Sequence, residues 1–266
     1  MTAAAGLGLA LLAVILLPAG IAGVLCALSR CGCARVVVHE TYALLVIYAW
    51  GQLAQRRLAP RDPARVPRGV LPVLFVHGIY CNAGVWHRQL RALHGVDNLF
   101  TLNLAPPLGS MDRFAQQLAG RVEEVCRAAG TERAIIVGHS MGGLVARAWI
   151  ARLGGAARAA RLVTLGSPHH GSSLARAVPG RCARELRRGS AWLAQLEAAE
   201  AGHGRVPLTS IYSRHDEFLA PQDSARLEGA QNIALERLGH LELLLSRRVH
   251  ALVAAEIAAA RGERPS

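Results

Sequence analysis

The sequence contains no lysine and few aromatic residues, and each shortage excludes a class of function. Without lysine the chain cannot form a Schiff base with a carbonyl substrate, nor build a phosphate-binding loop that ends in lysine. Aromatic residues make up 5% of the chain, too few for the stacking surfaces that bind single-stranded nucleic acids. We therefore expect no nucleic-acid partner.

Charged residues are also scarce, at 18%, while hydrophobic residues reach 52%, a balance that excludes a disordered chain. The formal net charge is +12, and every positively charged side chain that it counts is an arginine. The arginines are scattered, so the excess fits a basic surface near anionic lipid better than a nucleic-acid patch. The six cysteines lack zinc-site spacing, and we predict neither a metal nor a cofactor.

The N-terminus is an apolar segment in which residues 3–28 carry no charge. This run exceeds the roughly 20 residues needed to cross a bilayer core. A cleaved signal peptide is the alternative, but no basic residue precedes the run, and the first arginine is Arg30. We predict an uncleaved transmembrane anchor over residues 1–30.

Residues 31–68 are predicted to link this anchor to a soluble domain. A second apolar stretch, 36–50, is interrupted by His39 and Glu40, which favours an interfacial segment over a second crossing. A linker rich in proline and arginine follows over residues 59–68, so the soluble domain is expected from residue 69 to 266. The arginines after the anchor favour the cytoplasmic side, whereas a second crossing would reverse this orientation.

Apolar runs and helical patterns alternate through the soluble domain. The runs predict strands over residues 70–76, 99–104, 134–137, 161–165, 208–212 and 232–235. Helical spacing covers 111–129, 141–153 and about 241–260. This alternation predicts an α/β fold with a mostly parallel sheet and helices on both faces. Residues 172–205 interrupt it and form either a helical lid or a long crossover connection.

The string Gly138-His139-Ser140-Met141-Gly142 follows a predicted strand and opens a predicted helix. This G-x-S-x-G pattern places a serine on a strained turn, and glycines two residues to either side, Gly138 and Gly142, let the neighbouring backbone approach. Ser140 is therefore the predicted nucleophile.

A serine nucleophile needs a base and an orienting acid, which in this architecture follow it in the order acid, then histidine. Asp216 comes directly after a predicted strand, with Glu217 and Asp223 as rivals. His240 follows the last predicted strand and opens the final predicted helix. This position favours it over the rival bases His203, His215 and His250. We predict Asp216 as the acid and His240 as the base.

The tetrahedral intermediate also needs hydrogen-bond donors for its oxyanion. The backbone N–H of Met141 is one candidate, and that of Ile79, beside Gly78 after the first strand, is the other. His77 is expected to anchor this loop. His169 and His170 are adjacent and invite a metal interpretation, but loop packing is favoured because two neighbouring histidines fit a single ion poorly.

Three strings, HGIYCNAGVW, GHSMGGLVAR and TLGSPHHGS, resemble the bacterial lipase and esterase branch of the α/β-hydrolase superfamily over residues 70–250. Ser167 replaces the usual threonine of the last string. The resemblance implies the α/β-hydrolase fold and hydrolysis of carboxylic esters through an acyl-enzyme on Ser140. The structural calcium and disulfide of secreted relatives are not expected, because only Asp223 remains near the acid and Cys182 has no evident partner.

The sequence thus predicts a serine hydrolase of lipid or other apolar esters, anchored in the bacterial inner membrane. A thioesterase or acyltransferase would use the same three residues and differ in the group that leaves or accepts the acyl chain. An anchored binding protein on the same fold is the non-catalytic alternative.

Overall fold

A computed structural model describes residues 19–27, 33–47, 66–201 and 206–262. These residues form a sheet of six parallel strands in the order β2-β1-β3-β4-β5-β6. The strands are β1 Val73–Val76, β2 Leu99–Leu102, β3 Ala134–His139, β4 Ala159–Leu165, β5 Leu208–Ser213 and β6 Gln231–Leu235. The predicted mostly parallel sheet is confirmed, and each predicted run overlaps one of these strands.

Helices cover both faces of the sheet. They are α1 Ala34–Leu45, α2 His87–Ala92, α3 Met111–Ala129, α4 Met141–Arg152, α5 Arg181–Glu185, α6 Ala191–Glu200 and α7 Arg247–Arg261. Single 3-10 turns lie at Ala83–Trp86, Gly155–Ala157, Ser173–Ala177, Gln222–Ala225 and Glu242–Leu244. α3 has the predicted bounds because the Ser110 hydroxyl caps its start by accepting from the Arg113 N–H, and Gly130 ends it in a left-handed conformation.

The strand residues divide the core between the two faces. In β1, Leu74 packs into the cluster formed with α3, α4 and α6, while Val73 and Phe75 pack into the cluster formed with α1 and α7. All four residues of β1 and all six of β3 are buried. Central parallel strands are apolar throughout because both of their faces are covered. Since β3 is buried along its whole length, it holds the turn that follows it in place at the edge of the sheet.

The predicted transmembrane anchor lies largely outside the described residues. Residues 19–27 are helical, whereas residues 1–18 and 28–32 are not described. Within the described ranges, no helix combines the length and apolar character needed to cross a bilayer. The anchor therefore stays a prediction.

The helix α1 packs on the domain that contains the sheet, although it precedes the predicted domain start at residue 69. Ala43 and Leu44 at its C-terminal end, and Ile47 just after it, join the core cluster of α7. Its other face exposes Val38 and Tyr42, which are 68% and 55% accessible. One face of the segment predicted to be interfacial thus belongs to the core of the domain, and the other presents apolar side chains to the surroundings.

The prediction of one continuous final helix from about residue 241 is wrong. The chain forms the 3-10 turn Glu242–Leu244, and α7 begins only at Arg247. Ser246 has an extended backbone with ψ 121°, which interrupts the helix, and the N–H of His250 then donates to the Ser246 carbonyl. The turn before Ser246 is held by side chains from α1, which the local sequence does not contain.

The insertion predicted at 172–205 connects β4 to β5 and is packed against the core in its described part. Trp192, Leu193 and Leu196 of α6 are buried in the cluster of α3 and α4. The guanidinium of Arg147 in α4 donates to both carboxylate oxygens of Glu200, at 2.8 and 2.6 Å. Movement of this segment as a lid stays a prediction.

We expect Leu196→Ala to lower the free energy of unfolding by about 2–5 kcal/mol, because Leu196 is fully buried and its removal leaves a cavity. The exposed neighbour provides a matched control, since Gln195→Ala removes no core contact and should stay within about 0.5 kcal/mol of the parent. Urea denaturation measures both variants. Equal stability of the two variants would show that α6 is detached in solution.

Candidate active site

Ser140 lies on the turn between β3 and α4. Its backbone has φ 55° and ψ −124°, a conformation that costs a non-glycine residue on the order of 1–3 kcal/mol and that recurs at functional sites. The Ser140 N–H donates to the Leu165 carbonyl at 2.8 Å, which ties the turn to β4. The strained serine stands at the N-terminus of α4, where the helix dipole favours negative charge.

The two glycines of the motif are required by close backbone approach. A Cβ on Gly138 would lie 2.6 Å from the nitrogen of Gly143, and one on Gly142 would overlap the carbonyl oxygen of Val76. Both neighbours are backbone atoms that cannot move aside. The sequence argument for Gly138 and Gly142 therefore agrees with the packing around the turn.

Asp216 and His240 are in direct contact. His240 Nδ1–H donates to Asp216 Oδ2 at 2.7 Å, and Asp216 Oδ1 accepts from the backbone N–H groups of Phe218 and Leu219 at 3.0 and 3.2 Å. Asp216 follows β5 and His240 follows β6, so both stand at the carboxyl edge of the sheet. This hydrogen bond fixes the tautomer in which Nε2 of His240 is free to accept a proton.

His240 also lies beside the turn that carries Ser140. His139 Nε2 donates to the His240 carbonyl at 3.2 Å, and the two imidazole rings are 4.7 Å apart. His139 itself is buried. The structure therefore brings the three predicted residues, Ser140, Asp216 and His240, to one place.

Electrostatics separate the two histidines. Burial lowers the pKa of His240, but the charge of Asp216 and its hydrogen bond outweigh burial, and the net pKa is raised. Burial, followed by the charge of His240, lowers the pKa of His139 well below its ordinary value. His139 thus stays neutral, while His240 has the raised basicity that a general base requires.

The rival residues make other contacts. The carboxylate of Glu217 accepts from the backbone N–H of His240 at 3.2 Å and does not replace Asp216 at the imidazole. His215 Nδ1 accepts from the Arg237 N–H, and His250 Nε2 donates to the Leu244 carbonyl. His203 lies outside the described residues.

The candidate oxyanion donors come from two loops that meet at Ser140. Met141 is the first residue of α4, where backbone N–H groups have no partner within the helix. A Cβ on Gly78 would lie 2.9 Å from Cβ of Ser140, so the loop that carries Ile79 passes close to the serine. The roles of Ile79 and Met141 stay predictions.

His77 anchors this loop in the way the sequence indicates. Its Nδ1–H donates to the Gly78 carbonyl at 2.8 Å, and its Nε2 accepts from the Leu104 N–H at 3.1 Å. Burial lowers the pKa of His77 to about 4, so the ring is neutral and keeps both bonds.

His169 and His170 have separate surroundings. His169 is buried and contacts Thr164 Oγ1 at 3.1 Å and the guanidinium of Arg147 at 3.3 Å. His170 is exposed and its Nε2 donates to the carbonyl of Arg226. These contacts agree with loop packing and separate the two rings.

Three neighbours of the site were not assigned a role from the sequence. The Phe218 ring stacks near the His240 imidazole, with ring centroids 5.0 Å apart. The carboxyl groups of Glu40 and Glu217 accept from the backbone N–H groups of residues 240–242, directly after Gly239. The only local signal for Glu40 was a carboxylate that interrupts an apolar stretch.

An open parallel sheet with a strained serine after β3, an acid after β5 and a histidine after β6 defines an α/β-hydrolase. Residues 72–248 match the palmitoyl protein thioesterase family, and the chain belongs to this family. The predictions of an α/β-hydrolase and of a carboxylic ester hydrolase are confirmed at this level.

Solved structures support the same fold. The mature lipase BlEst2 of Bacillus licheniformis is 18% identical, with a TM-score of 0.65 over 74% of this chain and 96% of that one. Lipase B of Aspergillus fumigatus is 17% identical, with a TM-score of 0.64 over 79% and 61%. A thermophilic esterase of Thermogutta terrifontis is 19% identical, with a TM-score of 0.52 over 74% and 92%.

We expect Asp216→Asn to lower kcat by about 10³- to 10⁴-fold, because the amide no longer selects the required tautomer of His240. The acid limb of the pH profile should also move to lower pH. His240 acts as a base only when neutral, and removing the Asp216 charge lowers its pKa. Steady-state ester hydrolysis across the pH range measures both effects.

Asp223→Asn is the control, since Asp223 lies in the 3-10 turn Gln222–Ala225 and makes no described contact with His240. An unchanged profile in Asp216→Asn would contradict the assignment of the acid.

Proposed function

We propose that this protein is a membrane-anchored serine hydrolase that cleaves the carboxylic esters of lipids through an acyl-enzyme on Ser140. The observation that carries the proposal is the buried hydrogen bond between His240 Nδ1 and Asp216 Oδ2, beside a serine on a strained turn. Such a pair has the geometry of a base held ready to accept the serine proton.

In the proposed reaction, His240 Nε2 takes the proton of the Ser140 hydroxyl as its oxygen attacks the ester carbonyl. The negative charge of the tetrahedral intermediate moves onto the carbonyl oxygen, where the N–H groups of Met141 and Ile79 stabilise it. The intermediate collapses, the ester bond breaks, and the imidazolium of His240 donates its proton to the departing alcohol. Water then repeats these steps on the acyl-enzyme and releases the acid.

Exposed apolar side chains support a lipid substrate and a membrane location. Tyr80, directly after Ile79, and Leu108 are both 39% accessible. The Tyr80 hydroxyl donates to the Pro179 carbonyl, and Leu108 lies against Gly180, so both residues border the start of the insertion. This apolar rim near the proposed oxyanion loop would receive an acyl chain from a bilayer.

The N-terminal helical residues also expose apolar side chains. Ile21 and Val24, like Val38 and Tyr42 of α1, are exposed. A net charge of +12 attracts the chain to anionic lipid. These features support the proposed anchor in the inner membrane, and the arginines after residue 30 favour a cytoplasmic catalytic domain.

Thioester cleavage is the second candidate, favoured by membership of the palmitoyl protein thioesterase family. The same serine, histidine and aspartate would attack a thioester carbonyl, and a thiol would leave in place of an alcohol.

We expect Ser140→Ala to lower ester hydrolysis by about 10⁶-fold, to background, because the acyl-enzyme cannot form. Its folding should be preserved, since the hydroxyl of the turn residue makes little packing contact. Serine-directed fluorophosphonate labelling should disappear in parallel. Ser246→Ala, which removes a hydroxyl that caps no helix, should keep both activity and labelling. Turnover that survives in Ser140→Ala would exclude this nucleophile.

We expect kcat/KM to rise with acyl length from two to about eight carbons, because each buried methylene contributes on the order of 0.8 kcal/mol. Chromogenic oxygen esters of increasing length, measured beside thioesters of the same acyl groups, compare the two candidates. A strict preference for two-carbon esters would contradict a lipid substrate. Serine-dependent cleavage confined to thioesters would favour the second candidate over the first.

A further inference from the structure

The carboxyl group of Glu40 lies behind the loop that carries His240, although Glu40 belongs to α1. Glu40 Oε1 accepts from the backbone N–H of Leu241 at 2.7 Å, and its Oε2 accepts from that of Glu242 at 3.0 Å. Glu40 is fully buried. A carboxylate at this depth is costly unless its oxygens are bound, and here both oxygens accept backbone hydrogen bonds.

Glu217, in the loop that carries Asp216, binds the same stretch of backbone. Its carboxylate accepts from the N–H of His240, so two side chains bind three consecutive backbone N–H groups, at residues 240–242. Only glycine fits at position 239, beside the two carboxyl groups. A Cβ on Gly239 would overlap Glu40 Oε2 and lie 3.1 Å from Glu217 Oε2. The backbone of the His240 loop is thus fitted to these two carboxyl groups.

The two carboxyl groups also lie close together beside Gly239, an arrangement that favours a proton on one of them. Burial, followed by the charge of Glu217, raises the pKa of Glu40 well above its ordinary value. Burial, followed by the charge of Asp216, raises the pKa of Glu217 to about 8. A shared proton lets the pair remain buried beside Asp216 without three full negative charges.

Other residues of α1 hold the outer side of the same turn. Glu242 accepts from the N–H of Gly239 through Oε2, and its Oε1 contacts Arg35 at 3.2 Å and His39 at 3.0 Å. Arg35 also donates to the carbonyl of Arg237. The turn of residues 237–242 is therefore bound along its length by α1.

We propose that Glu40 is a positioning residue for catalysis, which orients His240 through the backbone of residues 240–242 together with Glu217. This inference rests on the proposed function, in which His240 is the base. α1 then helps to position the catalytic base, although it precedes the strands of the hydrolase domain.

The test uses the full chain in detergent micelles, with active sites counted by end-point titration with a fluorophosphonate. In Glu40→Ala we expect kcat per titrated site to fall about 10- to 100-fold, since displacements of about 1 Å at a catalytic group have effects of this size. KM should change by less than about threefold, because Glu40 does not contact substrate. Glu40→Gln keeps one acceptor oxygen and should recover most of the lost kcat.

Leu44→Ala is the matched control, because it weakens the core packing of α1 but keeps the hydrogen bonds that Glu40 makes to the backbone of Leu241 and Glu242. If Glu40 only docks α1, both Glu40→Ala and Leu44→Ala will lower thermal stability and the number of titrated sites, with kcat per site unchanged. That result, or equal kcat per site in Glu40→Gln, Glu40→Ala and the parent, would overturn the proposal. A parent chain that neither hydrolyses esters nor reacts with fluorophosphonate would instead contradict the proposed function.

Discussion

The buried charge of Asp216 is the constraint on which the layout of this site depends. Asp216 is completely inaccessible, and its two oxygens are satisfied by the His240 imidazole and by two backbone N–H groups of its own loop. An uncompensated carboxylate at that depth would cost several kcal/mol. The loop after β5 must therefore turn tightly over Asp216, and the loop after β6 must bring His240 to within hydrogen-bond distance. Catalytic geometry and charge compensation impose the same arrangement.

The same charge explains why the neighbouring acids are arranged as a pair. Glu217 follows Asp216 directly and is itself buried, so its ionisation is opposed by burial and by the adjacent charge. The contact with Glu40 supplies a partner that shares a proton, and the backbone N–H groups of the His240 loop supply the remaining donors. Through Glu40, the helix α1, which follows the proposed anchor in sequence, thereby contributes to the electrostatics around His240.

The sheet and the serine turn were predictable because their signals are local. Apolar runs mark buried strands, Ser110 and Gly130 mark the ends of α3, and the glycines around Ser140 mark a crowded turn. The start of α7 was not predictable in this way. Its preceding turn is held by Glu40, 201 residues away from Leu241 in sequence, and no local pattern encodes such a contact. For the same reason the sequence indicated Glu40 only as a charged residue that interrupts an apolar stretch, although its carboxyl group is buried beside the site.

The chemistry of the leaving group bears on both candidate substrates. An alcohol has a pKa near that of water, about 15.7, whereas a thiol has a pKa of about 8.5. The departing oxygen must therefore be protonated as its bond breaks, while a thiolate leaves without that help. In the proposed reaction, the Asp216 charge stabilises the His240 imidazolium while serine attacks either substrate, but only the alcohol needs the return of that proton. Thioester cleavage thus demands less of this site than ester cleavage, and an arrangement able to protonate an alkoxide can serve both reactions.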